Sequence, residues 1–295
     1  MKKLLFITIL FNLSVLADYS DHEVSREVIA ELVNEYGFEE SFVVDVLKNA
    51  KKRRTALISV AKPAEKTKTW DDYRAIFIKK KRVDDGRKFI KKHISTLEKA
   101  EIEFGVPKEI ITAILGVETN FGNNMGSYRV IDSLVTLGFD DPRRSKFFKS
   151  ELIQFFLLTR ENNLDILKVK GSYAGAMGYS QFISSSYRAY AIDFDGDGYV
   201  DLFNSIEDAI GSIANYLKRH GWKRDGNIVT RTYPNNVRKF YKPHESLTRF
   251  IPLTFIENGE ELHFIGDDNF RAIAKYNISD VYAMAVYYLS KELEK

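Results

Sequence analysis

The chain has 295 residues, with 44 Lys and Arg against 41 Asp and Glu, a formal net charge of +3 and no cysteine. The missing cysteines exclude a disulfide framework and a lipid carried on a cysteine, so stability must come from a core that a chain of this length is able to bury. The basic runs Lys51-Lys52-Arg53-Arg54 and Lys79-Lys80-Lys81-Arg82 read as solvated helix faces, and nothing else in the composition argues for a nucleic-acid partner.

At the start, Lys2 and Lys3 precede an apolar run from Leu4 to Leu16, and Val15-Leu16-Ala17 offers small residues at its exit. That order predicts a signal peptide over residues 1–17, cleavage near Ala17 and export. The run is shorter than the roughly 20 apolar residues a spanning helix needs. No other stretch comes closer, so a soluble mature protein without a membrane anchor is expected.

Val24, Val28, Ile29, Leu32 and Val33 recur at helical spacing, as do Phe89, Ile90, His93, Ile94 and Leu97. They predict a helical region over residues 18–99, interrupted by a loop from about Pro63 to Asp72 before the segment Tyr73 to Arg82. A core over 100–226 follows. Val106-Pro107-Lys108-Glu109 opens its helix, with proline expected in the first turn and an acid facing the positive end. Counting from Ile110, Ile111 and Ile114 places Glu118 on the same apolar face. A carboxyl in that company is partly desolvated, which favours its protonated form and makes Glu118 a candidate general acid. Gly116 and Gly122 allow close backbone approach on either side, and Thr119-Asn120-Phe121 adds polar groups and an aromatic ring, a combination suited to a cleft wall. The competing reading is a helix-end glutamate turned to water.

Further on, Gly171, Ala174, Gly175, Ala176 and Gly178 let backbone approach another surface closely, while Ser172, Tyr179 and Gln181 supply donors and acceptors. Polymer recognition and tight core packing both suit that run. Asp193-Phe194-Asp195-Gly196-Asp197-Gly198-Tyr199 places oxygen donors at positions 1, 3 and 5 of an EF-hand-type loop, glycine at 6 and a backbone carbonyl at 7. Asn204 stands at position 12, where a bidentate glutamate is normal. One structural calcium ion is expected here, and no organic cofactor. The histidines show no metal-ligand spacing. From 227 to 266 short β-rich runs, Ile228 to Thr232 and Leu253 to Ile256, are broken by Pro234, Pro243, Pro252 and Gly259, which predicts a small sheet or hairpin insert. Residues 267–295 close the chain with a helix over Val281 to Leu289 that docks on the body. The fold class is mainly α with a small β part.

Gly116-Val117-Glu118-Thr119-Asn120-Phe121-Gly122 and Gly171 through Phe182 resemble the lytic murein transglycosylase B family, family 103 of the glycoside hydrolases. Tyr73-Arg74, Asp141-Pro142-Arg143-Arg144, the acidic loop and Tyr276-Asn277 extend the resemblance over most of the chain. It implies a lysozyme-like helical core in which Glu118 cleaves the bond between N-acetylmuramic acid and N-acetylglucosamine and forms a 1,6-anhydro sugar. It implies substrate contacts at Tyr73, Ser172, Gln181, Tyr216, Tyr276 and Asn277, and Tyr179 is expected to join them as a polar group of the same glycine-rich run. Arg143 and Arg144 suit carboxylates of the substrate, or surface ion pairs. In the family an acid further along the loop closes the calcium site, which points to Asp208, with Glu207 competing, beside Asp193, Asp195, Asp197 and the Tyr199 carbonyl. Peptidoglycan strands in the periplasm are the implied partner, with cell-wall synthesis proteins as candidate protein partners. A muramidase-type hydrolase and a non-catalytic calcium-dependent wall-binding protein are the rival readings.

Overall fold

The structure, a computed structural model, describes residues 18–62, 67–234 and 251–295. The expected signal peptide, Pro63 in the expected loop and Pro243 in the insert lie outside the described residues. Within them the chain forms thirteen α-helices and five short strands, all paired antiparallel.

A 3-10 turn at Tyr19–Asp21 and helices α1 (Ser25–Asn34), α2 (Glu40–Asn49) and α3 (Arg54–Ala61) make the N-terminal part. It is fastened to the body by apolar contacts such as Phe38 on Phe156 and Tyr19 on Phe139, and by a polar clamp. Asp132, wholly buried on α8 (Val130–Asp140), accepts from Arg53 Nε and Nη2 at 2.9 and 2.7 Å, from Arg129 Nε and Nη2 at 3.1 and 2.6 Å, and from the Lys51 amide at 2.9 Å. Within the first basic run Arg53 is therefore a clamp, because a buried carboxylate needs this many donors to replace water, while Lys51, Lys52 and Arg54 keep exposed side chains as expected. The second run is solvated as expected at Lys80 and Lys81, which pair with Asp84 and Asp85 one helical turn on.

Helix α4 (Trp70–Phe77) begins inside the expected loop, because Thr69 caps it by accepting from the Asp72 amide at 3.2 Å. The single helix expected through Phe89 and Leu97 is two, α5 (Lys80–Lys92) and α6 (Ile94–Phe104), broken at His93 where φ is −114° and ψ 26°. Its apolar spacing survives because the kink keeps the hydrogen bonds from the His93 amide to Phe89 and from the Leu97 amide to His93.

At the centre runs α7 (Lys108–Thr119), with Pro107 as its N-cap, one position earlier than expected. Ile110, Ile111, Ile114 and Leu115 are at most 2 % exposed, and each such side chain contributes about 1.5–3 kcal/mol through removal from water. Helices α5, α6 and α11 (Ile206–Arg219) pack on it, while α8, α9 (Ser145–Glu161), α10 (Ser184–Tyr190) and α11 pack on one another in chain order, with β1 (Tyr128–Arg129) and β2 (Lys170–Gly171) forming a two-residue ladder. The insert is a three-stranded sheet of β3 (Val229–Thr232), β4 (Ile251–Glu257) and β5 (Glu260–Gly266) in the order β3-β5-β4, turning at Asn258-Gly259. Glu257 ties the sheet to the helices: Trp70 Nε1 and the Tyr288 hydroxyl donate to it, and Arg74 pairs with it at 3.5 Å. After α12 (Asp268–Tyr276), α13 (Asp280–Leu293) returns to lie along α7. Gly116 makes room there, since a Cβ would stand 3.2 Å from Leu289 and 2.9 Å from Phe121.

Candidate active site

Helix α7 ends where Asn120 and Phe121 adopt left-handed backbone, at φ 51° and 59°. The last turn leaves Glu118 half-buried. Its Oε1 accepts a 2.6 Å hydrogen bond from the hydroxyl of Tyr282, which is 1 % exposed in the first turn of α13. Burial and then the nearby Glu118 charge hold the Tyr282 hydroxyl well above its ordinary pKa, and the same two causes act on Tyr276. Tyr282 is thus a fixed donor that orients the Glu118 carboxyl. Phe121 does not form the wall of a cleft: its ring turns inward onto Gly116, Gly86 and Phe89.

Near this acid lies a groove of about 890 Å³, lined among others by Arg143, Arg144, Phe147, Gln181, Tyr216, Lys275, Tyr276, Asn277 and Asp280; Glu118 itself is not in its wall, and Tyr276, whose hydroxyl feels the Glu118 charge, links the two. Its floor is an aromatic chain. Tyr216 sits between His220 at 3.9 Å and Tyr276 at 4.8 Å, and Tyr276 stacks towards Tyr282 at 6.3 Å. The Tyr216 hydroxyl donates to the Lys275 carbonyl and the Tyr276 hydroxyl to the Ser180 carbonyl, each at 2.7 Å. These phenols hold α11, α12 and the turn at Ser180 together and present ring surface to the groove. Arg143 is tied to Asp141 at 3.2 Å, while Arg144 lies over the rings of Phe147 and Phe148.

Tyr73, Ser172 and Tyr179 lie outside the wall of that groove. Tyr73 is 1 % exposed, packed with Trp70 on the inner face of α4 and against Phe77, so it supports Tyr282 from behind. The Ser172 hydroxyl accepts from the Ala174 and Ala176 amides at 3.2 and 3.0 Å and closes its own loop. Tyr179 lies on Gly122, where an added Cβ would stand 2.1 Å from its ring. That close approach is why position 122 takes glycine at φ 87°. Gln181 donates to the Met125 and Gly178 carbonyls, leaving its amide oxygen as an acceptor.

The acidic loop leads into α11. One oxygen from each of Asp193, Asp195 and Asp197 lies within 4.8 Å of the others, an exposed all-carboxylate donor set suited to a hard cation. Gly196 and Gly198, at φ 81° and 94°, let their amides turn back to Asp193 at 2.7 and 2.8 Å. Asp208 is elsewhere. It is 1 % exposed and accepts from the Phe194, Asp195 and Asp201 amides, so its oxygens shape the loop from beneath and stand apart from the cluster. Burial pushes its carboxyl above the usual range despite those bonds. Beyond the cluster, the Leu202 carbonyl accepts from the Tyr179 amide at 2.9 Å, and a Cβ on Gly178 would clash with that carbonyl at 2.3 Å. The acidic loop is thereby tied to the Gly178-Tyr179 turn, which leads on to Gln181 and Phe182 in the groove wall.

Tyr282, Phe147, Lys275 and Asp280 were not singled out in the sequence. Helical spacing marked Tyr282 only as one more apolar-face residue of the last helix, and its partner lies 164 residues away.

A helical body, one acid at the end of its central helix and an aromatic groove beside it define a protein of the lysozyme-like class. The family model described as the transglycosylase SLT domain matches residues 20–291. The chain belongs to that family. It is 36% identical over 302 residues to the membrane-bound lytic murein transglycosylase B of Escherichia coli strain K12, covering 93% of this chain and 83% of that protein. The crystal structure of soluble lytic transglycosylase SltB1 from Pseudomonas aeruginosa matches with TM-score 0.83 and 41% identity, covering 90% of this chain and 97% of the other. The Escherichia coli lytic transglycosylase Slt35 in complex with calcium matches with TM-score 0.83 and 34% identity, over 94% of each chain.

Proposed function

We propose that this chain is a peptidoglycan lytic transglycosylase in which Glu118 acts first as acid and then as base. Family membership and the murein-cleaving relative support the activity. The observation that carries the assignment of Glu118 is the Tyr282 hydrogen bond to Oε1, which fixes the carboxyl where its charge acts on Tyr276 of the groove. A proton on the Glu118 carboxyl passes to the glycosidic oxygen as its bond to C1 of the muramic acid breaks. The carboxylate left behind takes the proton of the C6 hydroxyl as that oxygen bonds to C1, giving a 1,6-anhydro product and returning Glu118 to its starting state. No second catalytic carboxylate is needed, since the sugar supplies the nucleophile that water or a paired acid supplies in ordinary glycosidases. Mass spectrometry of muropeptides released from purified sacculi tests the reading: anhydro products are expected. Products one water heavier would establish a hydrolase instead.

Tyr282→Phe removes the donor without changing the ring. Loss of one hydrogen bond to a charged group is expected to lower kcat about tenfold with little change in KM. Steady-state kinetics on isolated glycan strands checks this.

Asp193, Asp195 and Asp197 would hold calcium, which supplies charge neutralisation and fastens the loop against Leu202 and Tyr179. Saturating calcium is expected to raise the Tm by about 5 °C. A chain carrying Asp193→Asn and Asp195→Asn should show no such rise. We assign the protein to the periplasm, on the signal-peptide order of residues 1–17 and the location of its substrate.

A further inference from the structure

The groove does not end at Tyr276. Asp280 and Val281 line both the groove and a second cavity of about 540 Å³ between α4 and β4. Helix α4 supplies one side of this slot through Thr69, Trp70 and Asp71, and β4 the other from Pro252 to Ile256. Trp70, Leu253 and Phe255 are at most 7 % exposed and form an apolar floor, while Ile256 is 57 % exposed at the rim. Among the described residues that line the slot, the charged ones are Asp71 and Asp280, both acids. Asp71 already accepts from the Asn258 amide at 2.9 Å. No side-chain cation among the described residues pairs with Asp280. The groove on its far side has the opposite character, with Arg143, Arg144 and Lys275.

An apolar slot rimmed by carboxylates, continuous with a cationic groove, complements a zwitterionic chain: aliphatic, with an amine at one point and carboxylates at another. Neutral N-acetylated sugars carry neither charge. Peptidoglycan carries peptide stems that have both. We propose that the slot is a subsite for the peptide stem, holding a free primary amine on an aliphatic side chain against Asp280, with the stem's carboxylates toward Arg144 and Lys275. This rests on the peptidoglycan reading above and adds to it a preference among strands. Asp280 is exposed at the rim, where an incoming amine reaches it, and the walls beside it raise its carboxyl above the ordinary range. Its position in the first turn of α13 would favour an acid on helix-dipole grounds alone. A dipole, however, does not respond to a change in the substrate.

The test compares two substrates on the same enzyme: glycan strands whose stems carry free primary amines, and the same strands after amine acetylation. For the wild type, acetylation is expected to lower kcat/KM about fivefold, the scale of one partly exposed ion pair. For Asp280→Asn the ratio between the two substrates is expected to fall to near one. Because each ratio is internal to one protein, partial loss of folded enzyme cancels from it. Equal ratios in wild type and variant, or a wild-type ratio of one, would overturn the subsite. Failure of the wild type to release anhydro products from either strand would instead overturn the lytic reading on which the subsite depends.

Discussion

Glu118→Gln is expected to lower kcat on purified sacculi by on the order of 10³–10⁴-fold while binding to the sacculi is retained. The substitution preserves shape, and the amide oxygen still accepts from Tyr282, whose hydroxyl stands 2.6 Å from Oε1 in the native protein. What it removes is the transferable proton, and general acid–base catalysis of a single step contributes about 10²–10⁴-fold. Here one group serves both the departure of the leaving sugar and the closure of the anhydro ring, so the effect belongs at the upper end. Co-sedimentation measures binding and release of anhydro muropeptides measures turnover. Retention of more than about a tenth of wild-type turnover would mean that another group supplies the proton, since the acid–base contribution is typically about 10²-fold or more.

Asp132→Ala carries the largest expected cost in stability, about 3 kcal/mol. The native carboxylate is wholly buried and satisfies two guanidinium groups and the Lys51 amide. Removing it strands those donors, and breaking a buried pair costs about 3–5 kcal/mol. The lower end applies because the Arg53 side chain is 38% exposed and recovers water. Thermal unfolding should shift downward by roughly 10 °C, using about 2–4 °C per kcal/mol for a protein of this size. Asp132→Asn, which keeps acceptor geometry at one oxygen, should lose less. If the alanine variant unfolds within about 2 °C of wild type, which corresponds to 1 kcal/mol or less, the N-terminal helices are held by apolar contacts and not by this clamp.

Most elements of the fold follow from local pattern. Val28 and Leu32 face inward on α1, Ile110 to Leu115 are buried on α7, and the alternation in Leu253 to Ile256 makes a strand. The misses are of a different kind. Thr69 extends α4 backwards through a cap that hydropathy does not record. The break at His93 leaves the apolar spacing intact and so is silent in the sequence. Arg53 reads as one more surface cation because its partner is 79 positions away.

Glu118 shows the same division. Its half-buried place on α7 depends on neighbours three, four and seven residues off, which a helix brings to one face whatever surrounds it. The triad Asp193, Asp195 and Asp197 likewise depends on loop spacing alone, with glycines at the two positions that need positive φ. Three things were decided only by tertiary packing: that α13 delivers Tyr282 to Oε1, that Tyr73 is enclosed behind it, and that Asp208 turns its oxygens to backbone amides. Each depends on how separate segments pack or fold back on one another. Periodicity specifies which face of a helix is buried, but the residue that meets it comes from wherever the closing core has room.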